Sequence, residues 1–176
     1  FQLGGEFCAT CGNGERVQLP FERITYDQAF EKYTGSGVLN LTASELVRLA
    51  EKLNVQPTAT LRADDRDGWL NLLLAERVEP HLGRQHATFL YDYPASQAAL
   101  AMIRDDSPSV AERFELYVEG VELDRVRALA DEARELGGGF ASLRVLALEL
   151  EPGGRIQFSM TLEDMERTSP FDVFRY

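Results

Sequence analysis

The sequence predicts an α+β fold, a largely antiparallel sheet with helices on one side. Three observations predict it. Residues 25–78 carry three apolar stripes at helical spacing, and capping boxes open the first two. Residues 88–93 form an aromatic-rich stretch of strand length, and residues 143–161 alternate like a hairpin around Pro152-Gly153-Gly154. Between them, residues 112–162 read as a β-α-β-β unit.

The chain has 176 residues, enough for one domain with a core or two small ones. Its 44% apolar content fits a globular protein and argues against general disorder. No apolar run approaches the length of a membrane span, so no membrane partner is expected. No basic, hydrophobic leader opens it, and a start at Phe1 predicts a fragment or a processed product. A net charge of −11 without a basic patch argues against nucleic acid as a partner. A nucleotide carried by Mg²⁺ stays admissible, because the metal brings the positive charge. The two cysteines form Cys8-Ala9-Thr10-Cys11, which is half a zinc site or two free thiols. So few cysteines predict a cytoplasmic location.

Residues 1–20 read as an irregular N-terminal segment, punctuated by Gly4-Gly5 and Gly12-Asn13-Gly14 and closed by Pro20. Thr25-Tyr26-Asp27-Gln28 opens the first helix, with Tyr26, Ala29, Phe30 and Tyr33 as its stripe and Gly35 ending it. Thr42-Ala43-Ser44-Glu45 opens the second, with Leu46, Leu49, Ala50 and Leu53 inward. A third runs from about Asp65 to Val78 and is apolar enough to be well buried; Pro80 stops it. Thr88–Tyr93 is the aromatic strand, and Pro94-Ala95-Ser96-Gln97 leaves it. Small residues there let a ligand approach the backbone, and a plain strand-ending turn fits as well. Asp105–Pro108 is a turn. Residues 124–136 form the clearest helix, capped by Asp124 and ended by Gly137-Gly138-Gly139. Ser169-Pro170 begins a last helix, cut short at Tyr176.

The chain centres on Ala111–Asp124, read as two short strands around a turn at Glu119-Gly120. Alternation puts Phe114, Leu116 and Val118 on one face and Arg113, Glu115 and Tyr117 on the other. Val118 then pairs with Val121, and Tyr117 faces Glu122. Glu115 and Glu122 become same-face diagonal neighbours about 7–8 Å apart, close enough to share a hydrated cation. The same pattern fits an ordinary half-buried hairpin with a solvated acidic face.

Residues 21–123 resemble the catalytic core of class II lysyl-tRNA synthetases. The likeness is nearest to the truncated synthetase paralogues that attach lysine or β-lysine to elongation factor P. Arg23–Phe30, Val78-Glu79-Pro80-His81-Leu82-Gly83, Tyr91–Leu100, Ala111–Tyr117 and Gly120-Val121-Glu122-Leu123 carry the resemblance. It implies ATP and Mg²⁺ as cofactors, with Glu115 and Glu122 binding the metal that holds ATP. It implies a substrate pocket at Tyr93, Ala95, Ser96 and Gln97. The implied reaction activates a lysine-like amino acid as an adenylate and passes it to a protein acceptor such as elongation factor P. A homodimer is compatible with it. The chain departs from the family where Asp124-Arg125-Val126 stands in place of Ala-Asn-Gly-Phe. The two signatures with ATP-binding arginines are not matched, and Cys8–Cys11 occupies the middle of one.

Residues 124–176 read as a truncated tail, of which about 126–176 resemble the C-terminal subdomain of glutamate formiminotransferase, through Leu136–Phe140, Arg144–Leu148, Gln157–Leu162 and Arg167–Pro170. That likeness implies a truncated folate-binding tail. It also runs Phe114–Leu123 as one long strand, which excludes the hairpin, although Gly120 favours a turn. The readings left open are a partial class II ligase, a folate-binding module and a non-catalytic interaction or mosaic protein.

Overall fold

The structure is a computed structural model that describes residues 3–10, 16–119, 141–150 and 155–162. Among these residues, seven strands form one sheet: β1 Leu3–Thr10, β2 Arg16–Thr25, β3 Ala87–Pro94, β4 Ile103–Arg104, β5 Val110–Glu119, β6 Leu143–Glu149 and β7 Arg155–Leu162. Their order is β1-β2-β3-β5-β7-β6, with β4 paired to β5. Of these pairs, β2 with β3 is parallel and the others are antiparallel. Three helices, α1 Tyr26–Thr34, α2 Ala43–Lys52 and α3 Arg66–Leu73, connect β2 to β3. They pack on one face, where Phe30, Leu46, Leu70 and Leu73 meet Ile24, Leu90, Tyr93 and Tyr117. The α+β expectation holds.

Local chemistry sets the helix starts. Thr25 and Gln28 form a reciprocal capping box on α1, and Gly35 ends that helix in the left-handed region at φ 79°. Thr42 and Glu45 do the same on α2. Each such cap contributes about 1 kcal/mol. The third helix is shorter than its apolar pattern suggests. It gives way to a π turn at Leu74–Val78 and a 3₁₀ turn at Glu79–His81, so Pro80 lies inside the last turn.

Two expectations need correction. Residues 3–10 and 16–20 are not irregular: β1 and β2 form an antiparallel ladder, and Gly4-Gly5 falls where its register shifts between Leu3 and Glu6. Glycines there mark a bulge rather than a loop. β4, a two-residue strand, has no counterpart in the sequence pattern. The pairing of Tyr117 with Glu122 that a hairpin at Glu119-Gly120 requires is not available, because both edges of β5 are taken at Tyr117. Tyr117 pairs with Thr88 on β3 and Gln157 on β7, and Val118 pairs with Ile156. On β6, Leu143 and Val145 are buried, and Leu146 and Leu148 are 54% and 41% exposed.

The 124–136 helix, the glycine triplet, Ser169-Pro170, Cys11 and Glu122 lie outside the described residues; Cys8 falls in β1. No described helix is long and apolar enough to cross a membrane.

Candidate functional site

A cavity of about 230 Å³ opens between the sheet and α3, lined by Asn71, Leu74, Glu79, Tyr93, Gln97, Arg113, Glu115 and Gln157. Three strands and the end of the helical segment build it. Arg113, Glu115 and Tyr117 share the helix-facing side of β5 because strand residues alternate. Gln157 joins them because it pairs with Tyr117 across the β5–β7 ladder. The π turn carries Leu74 to the rim, and the 3₁₀ turn after it carries Glu79.

Tyr93 reaches the site through a break in alternation. Simple period-two reading puts Tyr91 and Tyr93 on one face. Asp92 instead adopts φ 56°, and the β3–β5 register shifts between Tyr91 and Tyr93. Such a bulge re-aims the next side chain. Tyr91 stays on the far face beside Arg23, and Tyr93 turns to meet Tyr26 at 4.9 Å between ring centroids.

Glu115 is the hub. It is 1% exposed. Its Oε2 accepts from the Tyr93 hydroxyl at 2.5 Å, from the Tyr117 hydroxyl at 2.9 Å and from Gln157 Nε2. Its Oε1 accepts from Arg113 Nη2 at 2.5 Å. The solvated acidic face expected around Glu115 is therefore a buried hydrogen-bond network. Arg113 is held from two further sides. Its Nη1 donates to the Gln97 carbonyl at 3.3 Å, and its guanidinium lies 4.6 Å from the Tyr93 ring centroid. Tyr117 also sits 3.2 Å from Glu79 Oε1, but its single hydroxyl proton serves one carboxylate at a time.

Burial, reinforced by Glu115, pushes both Tyr93 and Tyr117 well above the usual phenol range, so both remain donors. Burial lowers the Arg113 guanidinium, yet Glu115 and Tyr93 more than offset this and leave it raised. The charge-bearing side chains at the cavity are thus Arg113 against Glu115 and Glu79. Among the described residues the lining contains no serine, cysteine, lysine or histidine. Its chemistry is binding and electrostatic positioning, without a nucleophile of its own.

The candidate residues of the sequence separate here. Tyr93, Gln97 and Glu115 line the cavity; Ala95 and Ser96 do not. Ser96 donates to Asp67 at 2.7 Å and Gln97 to Asn71 at 3.1 Å, so their turn is laced to α3. Glu122 lies outside the described residues, so its apposition with Glu115 is not placed here. In the sequence pattern Arg113 stands out only as a neighbour of Glu115. Asn71, Glu79 and Gln157 are additions of the structure; Glu79 and Gln157 fall inside motifs that carry a resemblance, and Asn71 has no sequence signal. Among the described residues no group of three His, Cys, Asp or Glu side chains could hold a metal.

Comparison with known proteins follows this geometry. The family described as tRNA synthetases class II (D, K and N) matches residues 5–128. An elongation factor P–(R)-beta-lysine ligase of Salmonella arizonae is 41% identical over 116 residues, covering 66% of this chain and 35% of that protein. Proteins of the same name from Salmonella paratyphi B and Salmonella enteritidis are 40% identical over 116 residues, with the same 66% and 35% coverage. The chain thus spans about a third of the length of these relatives.

Proposed function

The chain belongs to the class II tRNA synthetase family (D, K and N), and from that premise we propose that it forms part of an ATP-dependent ligase for a lysine-like amino acid. The acceptor in this reading is a protein such as elongation factor P, and the location cytoplasmic. The observation that carries it is the 41% identity to an elongation factor P–(R)-beta-lysine ligase over 116 residues. The cavity's chemistry supports it. Carboxylate activation by ATP uses the substrate's own carboxylate as nucleophile, so the protein has to position and stabilise charge. A lining of amides, phenols and paired charges, without a nucleophilic side chain, suits that task. The net charge of −11 favours a protein acceptor over a polyanionic tRNA. A folate-binding module and a non-catalytic protein are not favoured, because family and relatives are synthetases and ligases.

Mg²⁺ takes carboxylate and water oxygens in octahedral array, and with ATP it neutralises the phosphates. The described residues do not fit it as they stand. Both Glu115 oxygens already accept from donors, and Arg113 supplies the countercharge. Glu122 as a second ligand belongs to the proposal alone.

The test is thermal unfolding with and without ATP, Mg²⁺ and either L-lysine or (R)-β-lysine. A ligand at 100 times its Kd adds about 2.7 kcal/mol. For a chain of this length that raises Tm by about 5–11 °C. Glu115→Gln is expected to abolish the shift. Absence of any shift with either amino acid, with or without ATP, overturns the reading.

A further inference from the structure

The misfit between Glu115 and a metal has a specific cause. A buried carboxylate needs a compensating cation. Here the cation is part of the same strand, two residues away. Arg113 is oriented by three contacts: Glu115 Oε1 at 2.5 Å, the Gln97 carbonyl at 3.3 Å and the Tyr93 ring at 4.6 Å. Its side chain is 24% exposed against 2% for Glu115, so the guanidinium stands between the carboxylate and the open side of the cavity.

We infer that Arg113 is a built-in counter-ion that closes Glu115 to external cations, and that any cation binding at Glu115 must first displace it. Arg113 is thus a positioning residue for the proposed ligand site, and its release couples cation binding to a change at Gln97 and Tyr93. The inference rests on the cavity being a ligand site, but its test needs neither ATP nor an amino acid.

The chain is titrated with Mn²⁺ alone, read by calorimetry and by the paramagnetic relaxation of water. The wild-type chain is expected to bind Mn²⁺ weakly. Arg113→Gln exposes an uncompensated carboxylate, and its Mn²⁺ affinity is expected to rise about tenfold or more, the scale on which one close charge acts. Arg113→Gln combined with Glu115→Gln is expected to lose that gain, which a merely structural role for Arg113 cannot produce. Should Arg113→Gln fail to fold, Arg113→Lys keeps a charge while losing the planar fork, and a smaller gain is expected. The inference is overturned if wild type and the Arg113 variant bind Mn²⁺ equally, or if the gain survives the loss of Glu115. Failure here with ligand-linked stabilisation intact removes only the counter-ion role. Failure of the ligand test with a Mn²⁺ gain present removes only the ligase reading.

Discussion

Adding one methyl group at Gly83 tests the placement of the whole site. Gly83 follows the 3₁₀ turn that carries Glu79, and it adopts φ 73°. A Cβ there would lie 2.6 Å from the Tyr117 carbonyl carbon, 2.7 Å from its oxygen and 2.8 Å from the Val118 nitrogen. These are backbone atoms of β5, which is hydrogen-bonded on both edges and cannot step aside. Gly83→Ala therefore carries two costs. The left-handed backbone costs alanine about 1–2 kcal/mol. The clash adds about 1–3 kcal/mol, as overpacking does elsewhere. Gly35 supplies the control, because it has φ 79° but nothing within 4 Å of the place a methyl group would take. Gly35→Ala carries the backbone cost alone. Urea denaturation followed by circular dichroism is expected to show Gly83→Ala lower than Gly35→Ala by about 1–3 kcal/mol at unchanged m. Equal losses for the two variants would falsify the close approach of this turn to β5.

Two further outcomes follow from buried polar groups. Tyr26 is fully buried and its hydroxyl has no hydrogen-bond partner among the described residues. Tyr26→Phe keeps the ring against Phe30 and Tyr93 and is expected to stabilise by about 1 kcal/mol, read as a rise in Tm. A clear drop in Tm counts against an unpartnered hydroxyl. Burial raises the Glu112 carboxyl above its ordinary 4.5, against the pull of Arg104 3.6 Å away. The folded chain keeps this proton at pH values where the unfolded chain has lost it, so the contribution is complete below 4.5 and is lost as pH rises through the folded value. Glu112→Gln removes that titration. Its stability relative to wild type is expected to grow as pH rises above 4.5, and parallel urea-midpoint profiles would count against it.

The parts of this fold that are legible in the sequence are those decided within a few residues. Thr25 with Gln28 and Thr42 with Glu45 name their helix starts because the capping partners are three residues apart. The strand pair at 143–162 is legible for the same reason, since alternation is local. The pairing of Tyr117 with Glu122 fails because strand edges are a non-local resource, and β3 and β7 claim both edges of β5 at Tyr117. Glu115 looks solvated in the sequence because an alternating pattern cannot say that α3 and β7 cover its face. Tyr93 is a pocket residue by resemblance, yet period two alone turns it to the far side. The turn at Asp92 brings it round. Gly4-Gly5 misleads in the opposite direction, since glycine marks a bulge as readily as a loop.

The contribution of Gln157 bears on how this protein is cut into working pieces. The match to the synthetase family ends at residue 128, and a fragment could be trimmed there on ancestry alone. Such a fragment would leave the seven-residue ladder from Arg113 to Glu119 as an open border, a template for unwanted self-pairing. It would also lack the amide that closes the far wall beside Glu115. Kinship and physical integrity mark different boundaries in this chain, and expression work should follow the second.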